Sequence, residues 1–348
     1  MNVFGYSVPP DADAALGGFS AAFGAGLRPS FVAGGTNLID LMKEDVAHPG
    51  HLIDVNRLLQ PRIEPTPDGG LRLGAGMRNA PTAYDPEVRA RYPLLSQAIL
   101  AGASPQIRNM ASNGGNLLQR TRCHYFYDVA TPCNKRAQGS GCSAIGNLAR
   151  QHAILGASAQ CIATHPSDMC VALAALDAVV EVQSVTGTRS IAFADFHRLP
   201  GGTPERDNTL REGELIMAIT LPPADALAAR SAYLKLRERA SYAFALVSVA
   251  AALDVDEGGR IRAARVALGG VAHKPWRLPE AEALLTGAVP ETAAFEAVAA
   301  QLLAGAQAQG SGPGSNAFKI PLAQRAIVRA LQLAARGTGA QAHEEETA

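Results

Sequence analysis

The segment from Asn116 to Cys161 constrains the chain more than any other. It shows neither the 3.6-residue period of a helix nor the two-residue period of a strand, yet it carries Cys123, Cys133, Cys142 and Cys161. Irregular segments of this length inside a compact domain are uncommon and usually functional, so something other than a hydrogen-bond ladder must hold it. The intervals between these cysteines hold nine, eight and eighteen residues, which fit neither a C-x₂-C zinc ribbon nor the ferredoxin C-x₂-C-x₂-C run. Scattered core thiols are the plain alternative, because free Cys packs as a small hydrophobe. The neighbours argue against it here: Arg120, Arg122, Lys135 and Arg136 flank Cys123 and Cys133, and Gly139-Ser140-Gly141 precedes Cys142. Positive charge stabilises thiolates, and four thiolates on one cationic loop point to a four-cysteine metal centre. Zinc and iron–sulfur both accept four cysteines, and the residues alone leave both open. The fifth cysteine, Cys170, lies in an Ala/Leu-rich run and reads as core; five is also a poor count for a disulfide framework. His124, His152 and His165 read as polar loop residues.

Composition limits the rest. At 348 residues, 47% hydrophobic and 18% charged, the chain is long enough for two domains and apolar enough to bury a large core. Lys plus Arg and Asp plus Glu are both 31, so no net field draws it to nucleic acid or to an anionic membrane. The longest apolar stretch, 243–253, is far below the roughly 18–20 residues of a membrane span. Met1 to Pro10 has no basic residue and no apolar run, so no export signal is expected.

Two glycine turns stand out. Phe31-Val32-Ala33 reads as a strand, Gly34-Gly35-Thr36-Asn37 as a turn and Leu38 to Met42 as a helix start, an order that presents backbone N–H groups to an anion. Ser112-Asn113-Gly114-Gly115-Asn116 repeats the combination, with hydroxyl and amide side chains that can bond phosphate oxygens. Neither is the G-x-G-x-x-G fingerprint, but together they could clamp a pyrophosphate. Strands are expected at Leu52–Val55, Leu71–Leu73 and Leu215–Leu221, and helices at Leu94–Ala103 and Met169–Val180. Asp168 then sits as a first-turn acid, and Lys235 as a solvated strand-edge residue. Beyond Pro222-Pro223, three β-type runs (Ala232–Arg237, Ala245–Leu253, Arg265–Leu268) precede helical patterns at Glu280–Leu285, Thr292–Leu303 and Leu322–Ala335. No Ser-His-Asp, paired-carboxylate or HExxH arrangement appears, so no catalytic residue is assigned.

Phe31–Asp40 (FVAGGTNLID), Ile107–Leu117 (IRNMASNGGNL), His165–Asp168 (HPSD) and Tyr233–Ala240 (YLKLRERA) follow one another in an order that resembles the FAD-binding subunit of the xanthine dehydrogenase, or molybdenum hydroxylase, family. The cysteine segment is similar to an insertion in the flavin subunits of periplasmic aldehyde oxidoreductases and 4-hydroxybenzoyl-CoA reductase, where it binds a [4Fe–4S] cluster. The resemblance implies an α+β fold: a two-part, vanillyl-alcohol-oxidase (PCMH) type FAD-binding domain over 1–225 with the insertion at about 117–161. A CO-dehydrogenase-flavoprotein-like C-terminal domain with a three-stranded sheet and helices would follow over 226–336, and a disordered tail over 337–348. It further implies FAD contacts at Ala33, Gly34, Gly35, Thr36, Asn37, Leu38, Ser112, Asn113, Gly114, Gly115, Asn116, Asp168 and Lys235, and cluster ligands at Cys123, Cys133, Cys142 and Cys161. Gly102 departs from relatives that have an aromatic before the second turn. The implied role is electron transfer from a [2Fe–2S] small subunit to an external acceptor, in a heterotrimer-type complex whose molybdopterin-binding large subunit oxidises an aldehyde or heterocycle. The compartment would be the periplasm, by co-export with a partner, or the cytoplasm. An autonomous flavin oxidase of the same fold type and a zinc-stapled binding protein are the competing readings.

Overall fold

The computed structural model describes residues 1–339. Its twelve described strands are β1 (Gly5–Ser7), β2 (Pro29–Val32), β3 (His51–Asp54), β4 (Ile63–Pro65), β5 (Leu71–Gly74), β6 (Val179–Ser184), β7 (Gly187–Ala192), β8 (Leu215–Leu221), β9 (Ser231–Leu236), β10 (Val247–Val255), β11 (Ile261–Gly269) and β12 (Trp276–Arg277). They form a small parallel sheet in the order β1-β3-β2, a five-stranded sheet β4-β5-β8-β6-β7 and a four-stranded sheet β12-β11-β10-β9. The larger two are antiparallel.

β10 shows why the C-terminal part stays attached to the rest. Successive strand residues point to opposite faces. Ala250 and Ala252 enter a core shared with the five-stranded sheet and the helices Pro93–Ala101 and Asp168–Ala175. Val247, Val249, Ala251 and Leu253 enter a second core under the helices Thr292–Leu302 and Lys319–Arg336. Both faces of the sheet are therefore covered, and the strand reads as a continuous apolar run. Small alanines on the first face let the helices approach closely.

Several expectations change. The C-terminal sheet has four strands, not three, because Trp276–Arg277 pairs with Ala267–Leu268. Two residues carry no readable period; the strand is held by its side chains, Arg277 bonding Asp177 and Glu282 and Trp276 Nε1 donating to Leu302 O at 3.1 Å. The helix expected over Met169–Val180 ends at Ala175, since Asp177 adopts φ 51° and the apolar run continues as β6. The N-terminal strand β1 and the helix Ala12–Gly24, capped by the Asp11 carboxylate, carry no expectation from the sequence reading. Of the tail expected to be disordered, Gly337–Gly339 is placed, with Thr338 N donating to Ala229 O and Thr338 Oγ1 accepting from Ser231 N; 340–348 lie outside the described residues. The irregular character of the cysteine segment stands, relieved only by the short helix His124–Tyr127. No helix among the described residues is long and apolar enough to cross a membrane.

Candidate functional site

A cleft of about 650 Å³ opens where the two glycine turns meet. The contact is backbone on backbone: a Cβ added at Gly34 would lie 1.9 Å from Met110 O, so no side chain fits. Arg78 stitches the same point, donating from Nη1 to Met110 O at 2.8 Å. Gly35 turns the chain at φ 70° into the helix Leu38–Lys43, where Ile39 N donates back to Gly35 O and Leu41 N to Asn37 O, each at 3.0 Å. Of the expected contacts, Thr36, Asn37, Gly115, Asn116 and Asp168 line the cleft. Ala33, Gly34, Gly35, Leu38, Ser112, Asn113, Gly114 and Lys235 stand behind them in the turns and in β9.

The expected second glycine turn is instead the short helix Asn113–Leu117, capped by Ser112, and its polar side chains are mostly committed inward. Asn113, fully buried, exchanges hydrogen bonds with Asn79 and Thr82, and Ser112 Oγ accepts from Gly115 N at 3.2 Å. Asn116 donates to Asn79 and accepts from Ser167, whose hydroxyl also caps the helix Asp168–Ala175. The amide side chains thus brace the turn more than they offer themselves to a ligand. Asn37 is different. Its Oδ1 accepts from Arg120 N at 3.0 Å, while its buried Nδ2 has no partner among the described residues. An unsatisfied buried donor on a cleft wall is costly unless an acceptor arrives.

Asp168 and Lys235 form a buried pair. In the β9–β10 register Tyr233 opposes Ala250 and Lys235 opposes Ser248, so both side chains share the face turned toward the helices. Lys235 Nζ meets Asp168 Oδ2 at 2.8 Å, and Tyr233 OH donates to Oδ1 at 2.7 Å. The solvated-edge expectation for Lys235 is therefore corrected: β9 is an edge strand, but the lysine points inward. Burial first, then the Asp168 charge, pushes the Tyr233 hydroxyl well above its ordinary pKa, so it stays a donor. Arg108, unassigned in the sequence reading, also lines the cleft; it donates to Gly102 O at 2.6 Å, and its Nε has no partner. Its only sequence signal is its place inside the Ile107–Leu117 motif.

The four clustered cysteines converge. Cys133 and Cys142 face each other across a tight hairpin closed by Asn134 N to Gly141 O at 2.7 Å, with Gly139 and Gly141 at positive φ. Cys161 follows a turn at Ser158, and Cys123 opens the helix His124–Tyr127. All four line one small cavity with Tyr125, Phe126, Lys135 and His152, and none is in a disulfide. Cys170 lies apart, fully buried, as expected.

The cationic setting differs from expectation. Arg120 and Lys135 are tied to Asp207, and Arg122 to Asp40. Burial outweighs them at the sulfurs, raising the Cys123 thiol to about 12 and Cys161 to about 11. Buried thiols of this kind are inert unless a metal supplies the positive charge that deprotonates them. A further trio, His165, Cys170 and His197, brings its ligand atoms within 4.8 Å of one another. His197 Nε2 donates to Leu117 O and His165 Nδ1 accepts from Ser167 N, which leaves the proton of a neutral His165 on Nε2. That ring has no lone pair to offer, and the trio reads as core.

The cysteine cavity and the cleft are neighbours. Arg122 lines the cleft and Cys123 lines the cavity, so one peptide separates their walls.

Residues 2–224 match the family model of the FAD binding domain in molybdopterin dehydrogenase. The chain belongs to this family. Residues 231–334 match the CO dehydrogenase flavoprotein C-terminal domain. The chain is 53% identical over 302 residues to the aldehyde oxidoreductase FAD-binding subunit PaoB of Escherichia coli K12, covering 86% of this chain and 90% of that one. It is 29% identical over 256 residues to the glyceraldehyde dehydrogenase medium chain of Sulfolobus acidocaldarius, covering 74% and 73%. Among solved structures, reconstituted CO dehydrogenase from Oligotropha carboxidovorans superposes with TM-score 0.74 at 23% identity over 96% of this chain and 98% of that one. Quinoline 2-oxidoreductase from Pseudomonas putida 86 gives 0.72 at 23% over 97% and 98%. Those likenesses carry the α+β fold of the family.

Proposed function

We propose that this chain is the FAD- and [4Fe–4S]-binding electron-transfer subunit of a multi-subunit, aldehyde-oxidising molybdenum hydroxylase. A molybdopterin-binding large subunit oxidises the aldehyde, a [2Fe–2S] small subunit delivers the electrons, and an external acceptor collects them from this chain. Identity of 53% across most of both chains with an aldehyde oxidoreductase FAD-binding subunit supports the assignment. The observation that carries the cluster is the convergence of Cys123, Cys133, Cys142 and Cys161, from separate backbone segments, on one cavity adjoining the cleft.

The residues present fit both groups. The close backbone approach at Gly34 and the unpartnered Asn37 Nδ2 suit a pyrophosphate, and Arg108 adds a charge to the cleft lining. Asp168, held by Lys235 and Tyr233, presents a fixed acid to the cleft beside Ser167 and Met169. FAD exchanges electrons in pairs or singly and an iron–sulfur centre singly, so adjacent sites suit a relay between partners that differ in electron count. The cysteine loops fix four sulfurs, and the apolar wall of Tyr125, Phe126, Ala144 and Ala163 keeps water from them.

Iron and flavin analysis of the isolated complex tests the proposal. About four irons and one FAD per chain are expected, with iron lost in Cys123→Ser and Cys142→Ser and kept in Cys170→Ala. Equal iron in all three variants, or zinc in place of iron, would overturn the cluster assignment. Aldehyde turnover by this chain alone, unchanged on adding the other subunits, would overturn the electron-transfer role.

A further inference from the structure

Lys319 is a buried ammonium without a counter-charge. It is 0% exposed, and its Nζ donates to two carbonyls, His152 O at 2.8 Å and Gly270 O at 2.5 Å. No carboxylate among the described residues pairs with it. Burying an unpaired charge in a protein interior is costly even after the surroundings relax. Burial pushes its pKa down to about 7, so near neutral pH its charge persists only where a negative group stands close by. The residue whose carbonyl it holds, His152, is itself buried and turns its ring to the cysteine cavity, Nε2 standing 3.0 Å from Cys123 Sγ. Among the described residues this is the one side-chain hydrogen bond to any of the four clustered sulfurs; backbone amides supply others, Ala163 N donating to Cys161 Sγ at 3.4 Å.

We infer that His152 and Lys319 form a positioning and tuning pair for the four-cysteine centre: His152 donates Nε2–H to the Cys123 sulfur, and the Lys319 charge stands behind it, together favouring the centre's reduced state. The inference rests on the cluster reading above. A cysteine sulfur bound to iron carries no proton, so at 3.0 Å the imidazole must be the donor. A hydrogen bond to a ligating sulfur and a nearby positive charge both withdraw negative charge from the centre and stabilise the form holding the extra electron. The missing counter-charge of Lys319 is then supplied by the anionic centre. Lys135 has Asp207 as its own partner, so the two lysines at this end of the fold are not equivalent.

The test is an EPR-monitored redox titration of the intact complex with His152→Leu, His152→Gln and Lys319→Met. Iron analysis of the wild type comes first: absence of iron there overturns the cluster reading and this inference with it, whereas the potentials below test the inference alone. With four irons retained, His152→Leu and Lys319→Met should each lower the equilibrium constant for one-electron reduction of the cluster roughly tenfold, about 59 mV. The flavin potential should hold, and His152→Gln, which keeps a donor, should restore most of the shift. A cluster potential unmoved in both His152→Leu and Lys319→Met would overturn the inference. So would iron lost in His152→Leu and not recovered in His152→Gln, because His152 would then be a ligand.

Discussion

Replacing Lys235 with Met removes one half of the buried pair that joins the C-terminal sheet to the helix Asp168–Ala175. The side chains of Lys235 and Asp168 are 4% and 7% exposed and 2.8 Å apart, so solvent screens the pair little. Methionine keeps the length of the aliphatic stem and takes away the charge. Asp168 is left buried with Tyr233 OH as its remaining side-chain partner. Breaking a buried pair by removing one member costs about 3–5 kcal/mol, because the surviving charge is uncompensated. Domains hold only about 5–15 kcal/mol in total, so this is a large fraction. With a urea slope of about 2 kcal/mol/M, a loss of about 4 kcal/mol moves the midpoint down by about 2 M. Adding Asp168→Asn removes the stranded charge and keeps an acceptor for Tyr233, so the double variant should recover most of the loss. Urea unfolding of the four members of this cycle, followed by circular dichroism, gives the coupling directly. A Lys235→Met cost under about 1 kcal/mol, or additive single effects, would refute the buried-pair reasoning, because an exposed pair contributes only about 0–1 kcal/mol.

Gly34→Ala would put a methyl 1.9 Å from Met110 O, forcing the two glycine turns apart; FAD content should fall well below one per chain by absorbance, and full occupancy would count against the pyrophosphate placement. Asn37→Asp keeps the acceptor for Arg120 N but replaces the unpartnered Nδ2 donor with negative charge, so FAD affinity should drop at least tenfold, about 1.4 kcal/mol, in titrations of the apoprotein. Burial alone would raise the Asp207 carboxyl, but Lys135 and then Arg120 outweigh it and hold its pKa well below the ordinary value. A depressed carboxylate contributes stability that is complete above the unfolded pKa of about 3.9 and is lost as pH falls toward the folded one. Lys135→Met should therefore move the midpoint of acid unfolding to higher pH, and an unchanged midpoint would show that Lys135 does not hold Asp207.

The sequence alone determined the parts of this protein whose physics is local. A glycine pair between a strand and a helix reads as a tight turn, so Gly34-Gly35 was legible before any contact was known, whereas Gly114-Gly115 lies inside the short helix Asn113–Leu117. The near-continuous apolar runs at Ala245–Leu253 and Leu215–Leu221 were legible as buried strands in the same local way. The aperiodic cysteine segment was legible by default, as a stretch that secondary structure could not hold. What needed the tertiary structure was every feature that depends on which faces meet. Lys235 on an edge strand reads as solvated until the register turns it toward the Asp168 helix, and Asn113 reads as a ligand donor until Asn79 and Thr82 consume its amide. Two residues cannot show a period, so strand β12 waited on Arg277 finding Asp177 across the fold and Glu282 in the helix that follows. His152 and Lys319 are 167 positions apart, and only the packing of the C-terminal helix against the cysteine segment joins the lysine's ammonium to the histidine's carbonyl. Charge and burial are properties of the assembled interior, and there the sequence names the groups while the fold decides their partners.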